Sequence, residues 1–164
     1  MTVAGGYASS HNHPFTRNKV KTLGGQPLEL VENHHNFAWQ EKMADGREVV
    51  VHRKGATPAG RGVLGVSPGS MTAPGFIVGG RGEVASINSA SHGAGRLMSR
   101  TKAKQMLQEK YVKDYLRDHG VELIGGGLDE APMAYKDINE VMNAQQDLVD
   151  IIGTFTPKIV RMDG

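Results

Sequence analysis

Residues 36–52 read NFAWQEKMADGREVVVH, and this stretch decides how the fold is built. Weak alternation over 37–41 and a β-branched run at 49–51 flank the dipeptide Asp45-Gly46, which is a strong signal for a hairpin turn. The stretch therefore predicts a β-hairpin over about 36–52. Antiparallel pairing brings the two ends of a hairpin together. The residues expected near one another at its open end are His35, Asn36, His52 and Lys54.

The sequence on either side of the hairpin predicts short strands and a few helices. Apolar runs predict strands at 28–31, 63–66, 76–78, 121–124 and 159–161. Helical spacing predicts a short helix over 16–23, a long helix over 96–118 that ends at Gly120, and a helix over 137–152 with Asp137 as its N-cap. The fold class predicted is α+β, with mixed short-stranded sheets, a β-hairpin, Gly-rich loops and two main C-terminal helices. Residues 1–27 are weakly patterned and are expected to be loosely packed.

Composition narrows the possible functions. The chain has 164 residues, which is the length of one domain or of a piece of a larger one. Cys is absent, which excludes a disulfide scaffold, a Cys-based zinc site and a Cys nucleophile within this chain. No apolar run is long enough to span a membrane and no secretory leader is expected, so the sequence fits a cytoplasmic protein.

Charge divides the chain into two parts. Residues 1–107 hold 13 Lys/Arg against 6 Asp/Glu, a net charge of +7, whereas residues 108–164 hold 6 against 11, a net charge of −5. Six of the seven His residues lie in the basic part. A basic, Gly-rich surface favours phosphate-bearing partners, because backbone N–H groups and cations act together on an anion. The first part is therefore expected to carry the chemistry.

The segment Ser91-His92-Gly93-Ala94-Gly95-Arg96 is the most specific motif in the chain. A His followed by Gly-x-Gly and a helix start places N–H groups around an anion, and such a His can attack phosphorus to form a phosphoramidate. Arg96 and Arg100 are spaced to face one phosphate if both are helical. The alternative is a turn that happens to contain a His.

Other segments are weaker signals when taken singly. The basic turn His52-Arg53-Lys54 suits a phosphate chain or is simply solvated. Only one imidazole of His34-His35 can join a given site, because neighbours on a strand point to opposite faces. Tyr135 can stack on a base or pack on the following helix. No Walker A loop, no GxGxxG after a strand and no GxSxG elbow occurs, which excludes the usual P-loop, Rossmann and hydrolase assignments.

Taken in order, these segments resemble the RtcB family of RNA-splicing ligases. The matching segments are NHHNFAW (33–39), VHRKGATPAG (51–60), PGSM (68–71), SHGAGR (91–96), MSRTKA (98–103) and EAPMAYKDI (130–138). The resemblance covers nearly the whole chain, and it implies that residues 1–164 are the C-terminal portion of an RtcB-like ligase domain. It implies joining of RNA 2′,3′-cyclic phosphate or 3′-phosphate ends to 5′-hydroxyl ends, with GTP and Mn²⁺ as cofactors.

The resemblance also implies roles for individual residues. His92 matches the His that carries GMP, and His35 matches a manganese ligand. The residues that match nucleotide contacts are Asn36, Pro68, Gly69, Ser70, Met71, Gly93, Ala94, Gly95, Tyr135 and Arg161. The residues that fall where phosphate or RNA is handled are Lys54, Arg96 and Arg100.

The chain departs from the family pattern in ways that leave two hypotheses open. Family members are much longer, and their other metal ligands, including a Cys, lie in an N-terminal half that this chain lacks. Gly75 replaces a guanine-contacting Ser. The family commonly ends in a Lys-Gly that contacts the nucleotide, whereas this chain ends Arg161-Met162-Asp163-Gly164, so either Arg161 substitutes for that Lys or the contact is lost. The chain is then either an RNA ligase whose other half is a separate chain or a removed segment, or a non-catalytic fragment that binds guanylate or RNA phosphate. A metallohydrolase is a third, weaker alternative.

Overall fold

The predicted hairpin is the first sheet of the fold. The computed structural model describes residues 14, 17–26, 30–43 and 45–162. Strands β1 (Asn36–Lys42) and β2 (Glu48–Lys54) pair antiparallel, with Asn36 opposite Lys54. The Asp45 carboxylate closes the turn by accepting a 3.1 Å hydrogen bond from the Arg47 backbone N–H. The hairpin prediction is confirmed, and its second strand runs two residues further than the sequence indicated.

The Gly-dense middle of the chain forms short strands in two small sheets. These strands are β3 (Ala56–Pro58), β4 (Leu64–Ser67), β5 (Gly75–Gly80) and β6 (Ser89–Ser91). β3 pairs with β6, whereas β5 lies between β4 and a later strand, β8 (Val149–Phe155). All these pairings are antiparallel. The strands predicted at 63–66 and 76–78 are therefore confirmed as β4 and β5, although each begins and ends at different residues from those predicted.

The first of two hydrophobic cores lies against the inner face of the β4–β5–β8 sheet. Its buried members are Ala59, Phe76, Val78, Ala90, Ala94, Ile138, Met142 and Val149. Many of these side chains are small, which suits the low aromatic content of the chain and lets backbone segments approach closely. This core holds the end of β6 next to the start of β3, where the candidate site is found.

The long helix predicted over 96–118 is wrong, because the structure has two helices there. These are α1 (Arg100–Met106) and α2 (Glu109–Asp118). Residues 92–99 form a loop, and the Ser99 hydroxyl caps α1 by accepting a 3.2 Å hydrogen bond from the Lys102 N–H. Leu107 and Gln108 adopt extended backbone angles between the helices. The break lets Leu107 pack on the second core.

The second core gathers α2 and the C-terminal strands. Its buried members are Met71, Val112, Leu116, Val121 and Ala131. Gly120 ends α2, as predicted, and its N–H donates a 2.9 Å hydrogen bond to the Arg117 carbonyl. Strands β7 (Glu122–Gly125) and β9 (Ile159–Arg161) then pair in parallel. Two single 3₁₀ turns, Leu128–Glu130 and Pro132–Ala134, connect this part to the first core.

The helix predicted over 137–152 is also much shorter in the structure. Asp137 does cap α3 (Ile138–Asn143), but α3 ends there, and β8 begins at Val149. Val149 and Ile152 therefore belong to a strand instead of a helix face. The physical reason is tertiary: β5 pairs with β8 along its length, and this pairing outweighs the local helical spacing.

The N-terminal predictions are answered only in part. Residues 17–22 are helical, which confirms the described part of the helix predicted over 16–23. Thr16, Leu28 and Glu29 lie outside the described residues, and Leu30 and Val31 belong to no strand. The α+β class is confirmed. That residues 1–164 are the C-terminal portion of a ligase domain, and that 1–27 pack loosely, stay predictions.

The cap of α1 provides a test of where this helix begins. Replacing Ser99 with Ala is expected to lower the free energy of unfolding by about 1 kcal/mol, because the Lys102 N–H loses its acceptor. Urea denaturation measures the change. Ser99→Asp should keep the wild-type stability, because Asp is an equally good N-cap. Equal stability of Ser99→Ala and wild type would argue against a helix that starts at Arg100.

Candidate active site

His92 follows directly on β6 and lies seven residues before Ser99, the N-cap residue of α1. The helix N-terminus expected beside it is therefore absent from residues 92–98, which form a loop. The strand pairing places His92 opposite Gly55, and its N–H donates a 3.4 Å hydrogen bond to the Gly55 carbonyl. The imidazole is positioned by the β3–β6 ladder instead of by a helix.

A second imidazole lies against His92. The rings of His35 and His92 stack with their centroids 4.6 Å apart and their planes 26° from parallel. His34 turns the other way and stacks on Phe37 at 5.1 Å. The structure thus brings one of the two adjacent His residues to the site, as strand alternation predicted. The Gly55 N–H donates a 3.0 Å hydrogen bond to the His35 carbonyl and joins the two segments.

The two imidazoles open onto a cleft of about 450 Å³. Its wall is completed by residues from the segment before β1, from β3, from β4 and from the loop after β4. These residues are Val31, Glu32, Asn33, Thr57, Val66 and Pro68. Asn33 holds the wall together, because its side chain donates to the Leu64 carbonyl at 2.9 Å and accepts from the Val66 N–H at 3.2 Å.

The electrostatic environment favours the neutral form of His92. Burial lowers the pKa of His92 below its ordinary value of about 6.5, and positive charge on the adjacent His35 lowers it further. A neutral imidazole has a free ring nitrogen, which is the form that attacks phosphorus. The environment of His92 therefore favours the form that a nucleophile at this position would need.

This environment predicts the titration of His92. Its midpoint, followed by NMR of the ring protons, is expected below 6.5, and His35→Asn should raise it, because the variant removes the electrostatic contribution of His35 and buries His92 less. The unfolded chain takes up the proton at higher pH, so this group makes folding less favourable as the pH falls through that range. His34→Asn is the matched control and should leave the midpoint in place. A midpoint above 6.5 would contradict the assignment.

The loop at 68–71 packs tightly against the His92 loop. The Pro68 carbonyl accepts a 3.0 Å hydrogen bond from the Ala94 N–H. A Cβ at Gly93 would lie 2.7 Å from that carbonyl oxygen, and a Cβ at Gly69 would collide with the Pro74 carbonyl oxygen. Both positions need Gly for these close approaches. The two loops predicted to bind guanylate are therefore neighbours.

The predicted nucleotide contacts differ in what they can offer. The Met71 side chain is 2% exposed in the second core, and Ala94 is 4% exposed in the first. Their side chains are occupied by packing, so they can reach a ligand only through backbone atoms. Ser70 is partly exposed, and Gly95 is exposed. Gly75, which is expected to replace a guanine-contacting Ser, is packed against the Phe155 ring.

Tyr135 lies in a network of charged side chains next to the His92 loop. Its hydroxyl donates to Glu130 and accepts a 3.3 Å hydrogen bond from Arg96, whose guanidinium lies 5.1 Å from the centre of the Tyr135 ring. Burial and the contact with Glu130 raise the pKa of Tyr135 above its ordinary value. The Lys136 N–H donates a 3.1 Å hydrogen bond to the Gly95 carbonyl, which ties Tyr135 to the loop.

Arg96 and Arg100 are both engaged with carboxylates. Arg100 Nη1 lies 2.7 Å from Asp129 Oδ2 and 2.7 Å from Glu130 Oε1. Arg96 Nη1 lies 3.7 Å from Glu130 Oε1, and its Nη2 donates a 2.5 Å hydrogen bond to the Asp129 carbonyl. Arg96 is not helical, so the expected spacing of one helical turn does not exist. In this structure the two cations balance the buried Asp129–Glu130 pair, and their role on phosphate stays a prediction.

The basic turn after β2 separates into buried and exposed parts. Arg53 is 3% exposed and bound to Glu41, so it is not the phosphate-facing group that the sequence indicated. Lys54 and Asn36 are exposed and paired across the open end of the hairpin. His52 pairs with Ala38, two residues further in, so the predicted cluster at the open end forms without it.

Arg161 lies on β9, and its neighbours Val160 and Met162 pack against the core that contains Met71. It is exposed on β9 opposite Gly125, and the next N–H, of Met162, donates a 2.8 Å hydrogen bond to the Gly125 carbonyl. A Cβ at Gly126 would lie 3.3 Å from atoms of both Met71 and Met162. The C-terminal strand therefore reaches the loop through its Met71 end, whereas Pro68 meets the His92 loop.

Some residues support the site without taking part in the proposed chemistry, and the sequence alone does not identify them. Gln145 is 4% exposed, and its Oε1 accepts a 2.9 Å hydrogen bond from the Ser91 N–H. Its segment has the spacing of a helix, which gives no hint of this contact. Asn33 and Thr57 lie inside the quoted motifs, but nothing in their residue types identifies them.

The described residues do not by themselves fit a complete manganese site. His35 presents an imidazole at the cleft, but no three His, Asp or Glu side chains among the described residues are grouped closely enough to hold one metal ion. Mn²⁺ prefers several hard oxygen and nitrogen ligands. Any such site would need ligands beyond those that the structure describes.

The model of one protein family, described as "tRNA-splicing ligase RtcB", matches residues 12–163 of this chain. The chain belongs to the RtcB family. It is 48% identical over 143 residues to the RNA-splicing ligase RtcB of Escherichia coli strain K12, covering 85% of this chain and 34% of the relative.

Two more distant relatives show the same partial coverage. The chain is 33% identical over 169 residues to the tRNA-splicing ligase RtcB of Nanoarchaeum equitans, covering 88% of this chain and 35% of the relative. It is 32% identical over 168 residues to the RNA-splicing ligase RtcB of Mycobacterium tuberculosis, covering 88% of this chain and 39% of the relative. The chain thus spans about a third of the length of these relatives. No helix in the described part of the chain has the length and apolar character needed to cross a membrane.

Proposed function

We propose that this chain is the guanylate-accepting part of a GTP- and manganese-dependent RNA ligase. In this proposal the enzyme joins RNA 2′,3′-cyclic phosphate or 3′-phosphate ends to 5′-hydroxyl ends, as in tRNA splicing or RNA repair. The observation that carries it is the partly buried His92 stacked on His35 at a cleft beside the 68–71 loop. Family membership supports the same reaction class.

The proposed chemistry begins with a phosphoramidate at His92. A ring nitrogen attacks the α-phosphorus of GTP, the P–N bond forms, and the bond to the β-phosphate oxygen breaks with loss of pyrophosphate. A 2′,3′-cyclic phosphate end is first opened by water to a 3′-phosphate. An oxygen of the RNA 3′-phosphate then attacks the phosphorus of GMP, and the P–N bond breaks, so that His92 is released and GMP passes to RNA. Finally the 5′-hydroxyl attacks the RNA phosphorus, loses its proton and expels GMP, which leaves a phosphodiester bond.

Other residues would bind the nucleotide and the RNA. Backbone groups of the Pro68–Met71 and Gly93–Gly95 loops would hold guanylate. Tyr135, Asn36 and Arg161 would contact the nucleotide, and Lys54, Arg96 and Arg100 would contact phosphate. Manganese would be held by His35 together with ligands from beyond the described residues. The substrates proposed are tRNA halves or broken RNA, in the cytoplasm.

A non-catalytic guanylate- or RNA-phosphate-binding fragment is the second candidate. Its support is that the chain covers about a third of its relatives and that no metal-binding group of three lies among the described residues. Both candidates use the same cleft. They differ in whether a P–N bond forms at His92.

Incubation with α-labelled GTP and Mn²⁺ separates the two candidates. The chain is tested alone and mixed with the part of the family protein that lies outside the matched region. Ligase chemistry predicts a labelled adduct that is labile in acid and stable in base, and joining of an RNA 3′-phosphate to a 5′-hydroxyl. Binding of GMP without an adduct in either mixture would support the non-catalytic candidate instead.

A further inference from the structure

Thr57 combines deep burial with an unpaired hydroxyl at the reactive cleft. Its side chain is 1% exposed, and among the described residues its Oγ1 has no hydrogen-bond partner. The same residue lines the cleft together with His35 and His92. Buried polar groups are nearly always hydrogen-bonded, so an orphaned hydroxyl beside a candidate nucleophile needs an explanation.

The β3–β6 ladder puts Thr57 on the same side of the sheet as His92. Thr57 is paired with Ala90, and two residues further along β6 the His92 backbone meets Gly55. Side chains two residues apart on a strand share a face, as do residues directly opposite one another. Thr57 and His92 are therefore diagonal neighbours on one face of this small sheet.

A structural role does not account for the hydroxyl. Ser67, the neighbouring buried hydroxyl on β4, is 0% exposed and donates a 3.2 Å hydrogen bond to the Ser91 carbonyl. Thr57 makes no such bond to any described residue, neither to the backbone nor to the ring of His92. A Cβ at Gly65 would lie 3.9 Å from Thr57 Cγ2, so the methyl group has a packing neighbour on β4.

We propose that the Thr57 hydroxyl donates a hydrogen bond to a phosphoryl oxygen of the nucleotide bound at His92. Thr57 forms part of the cleft wall, and a Thr side chain has several staggered rotamers that direct its hydroxyl differently. A phosphoryl oxygen of a ligand in the cleft then accepts the hydrogen bond for which the described residues offer the Thr57 hydroxyl no partner. This inference rests on the proposed function and adds a phosphate contact to it.

The test compares binding of GMP and of guanosine by calorimetry to the whole chain. Thr57→Val keeps the shape of the side chain and removes the hydroxyl, so the Kd for GMP is expected to rise about tenfold or more, while the Kd for guanosine stays the same. Thr57→Ser keeps the hydroxyl and should bind GMP within about threefold of wild type. Thr154→Val, an exposed change on β8, is the control.

Thermal unfolding tests whether Thr57→Val weakens binding only by destabilising the fold. Thr57→Val should melt at or above the wild-type temperature, because it removes an unsatisfied buried polar group. An unchanged Kd for GMP, or an equal loss for GMP and guanosine, would overturn the role of Thr57 and leave the proposed function standing. Failure of the wild-type chain to bind GMP at all would overturn the nucleotide site itself, and Thr57's role with it.

Discussion

His92→Ala is expected to abolish formation of the covalent GMP adduct and, with it, GTP-dependent joining of RNA ends. The loss should be complete, because Ala offers no nucleophile and the P–N bond cannot form. The variant should still fold, since His92 lies at the rim of the cleft and contributes no side chain to either core. Intact-mass analysis after incubation with GTP and Mn²⁺, in the mixture that yields the wild-type adduct, measures the outcome.

Peptide mapping decides whether the nucleophile has been assigned correctly. His119→Ala is the matched control, because His119 lies at the end of α2, stacks on Tyr115 and is far along the chain from the site segments. It should leave the adduct unchanged. His52 is the rival among the basic-turn residues, although it lies exposed on β2. A GMP group mapped to His52, or one that survives in His92→Ala, would refute the assignment.

Glu41→Ala is expected to cause the largest loss of stability among single changes in the hairpin, about 3 kcal/mol. Arg53 is buried, and Glu41 binds two of its guanidinium nitrogens, at 2.5 and 3.1 Å. Removing one partner of such a pair leaves an uncompensated buried charge. Arg53 keeps its hydrogen bonds to Ser89 Oγ and to the Ile87 carbonyl, which reduce the loss of stability. Neither partner carries the negative charge that Glu41 provides. The melting temperature should fall by about 6–12 °C.

Glu48→Ala is the matched control on the same hairpin. Glu48 is exposed at the start of β2 opposite Lys42, so its removal should change stability by less than about 0.5 kcal/mol. The comparison also tests how the site is supported, because Arg53 ties β2 to the segment that leads into β6. Equal melting temperatures of Glu41→Ala and wild type would contradict the stabilising role of the pair.

The hairpin was predictable from sequence because its signals are local. Asp45-Gly46 fixes the turn, and the β-branched residues of 49–51 favour extended backbone whatever packs on them. The same holds for the short strands at 64–67 and 159–161 and for the end of α2 at Gly120. Each of these elements is determined by a few neighbouring residues, so tertiary contacts do not change it.

The helices were predicted less well because their bounds depend on distant partners. Residues 96–99 look helical in spacing, but Arg96 instead forms a bridge to Tyr135 and hydrogen-bonds to the Asp129 carbonyl. Val149 and Ile152 fit an apolar helical stripe equally well, but pairing with β5 makes them part of a strand. Contacts with residues far along the chain decided both cases, and no window of neighbouring residues contains them.

The individual motifs of the candidate site were predictable from the sequence, but the way they come together was not. Motifs marked His92, His35 and the loop at 68–71, and the structure places them around one cleft. Charge alone could not separate buried Arg53 from exposed Lys54, because the distinction depends on which face of β2 meets Glu41. The unpaired hydroxyl of Thr57 becomes visible only when burial and hydrogen bonds are known.

Under the proposed function, the crowded glycines of the two loops limit how the base preference of the site could be re-engineered. At Gly69 and Gly93 any of the other amino acids would push its first side-chain carbon into a carbonyl oxygen, so randomising these codons would fill a library with misfolded members. Ser70 is partly exposed and carries no such restriction, whereas the Tyr135 hydroxyl is hydrogen-bonded to Glu130 and Arg96. Diversity aimed at base preference therefore belongs at Ser70, with the two glycines and Tyr135 kept fixed.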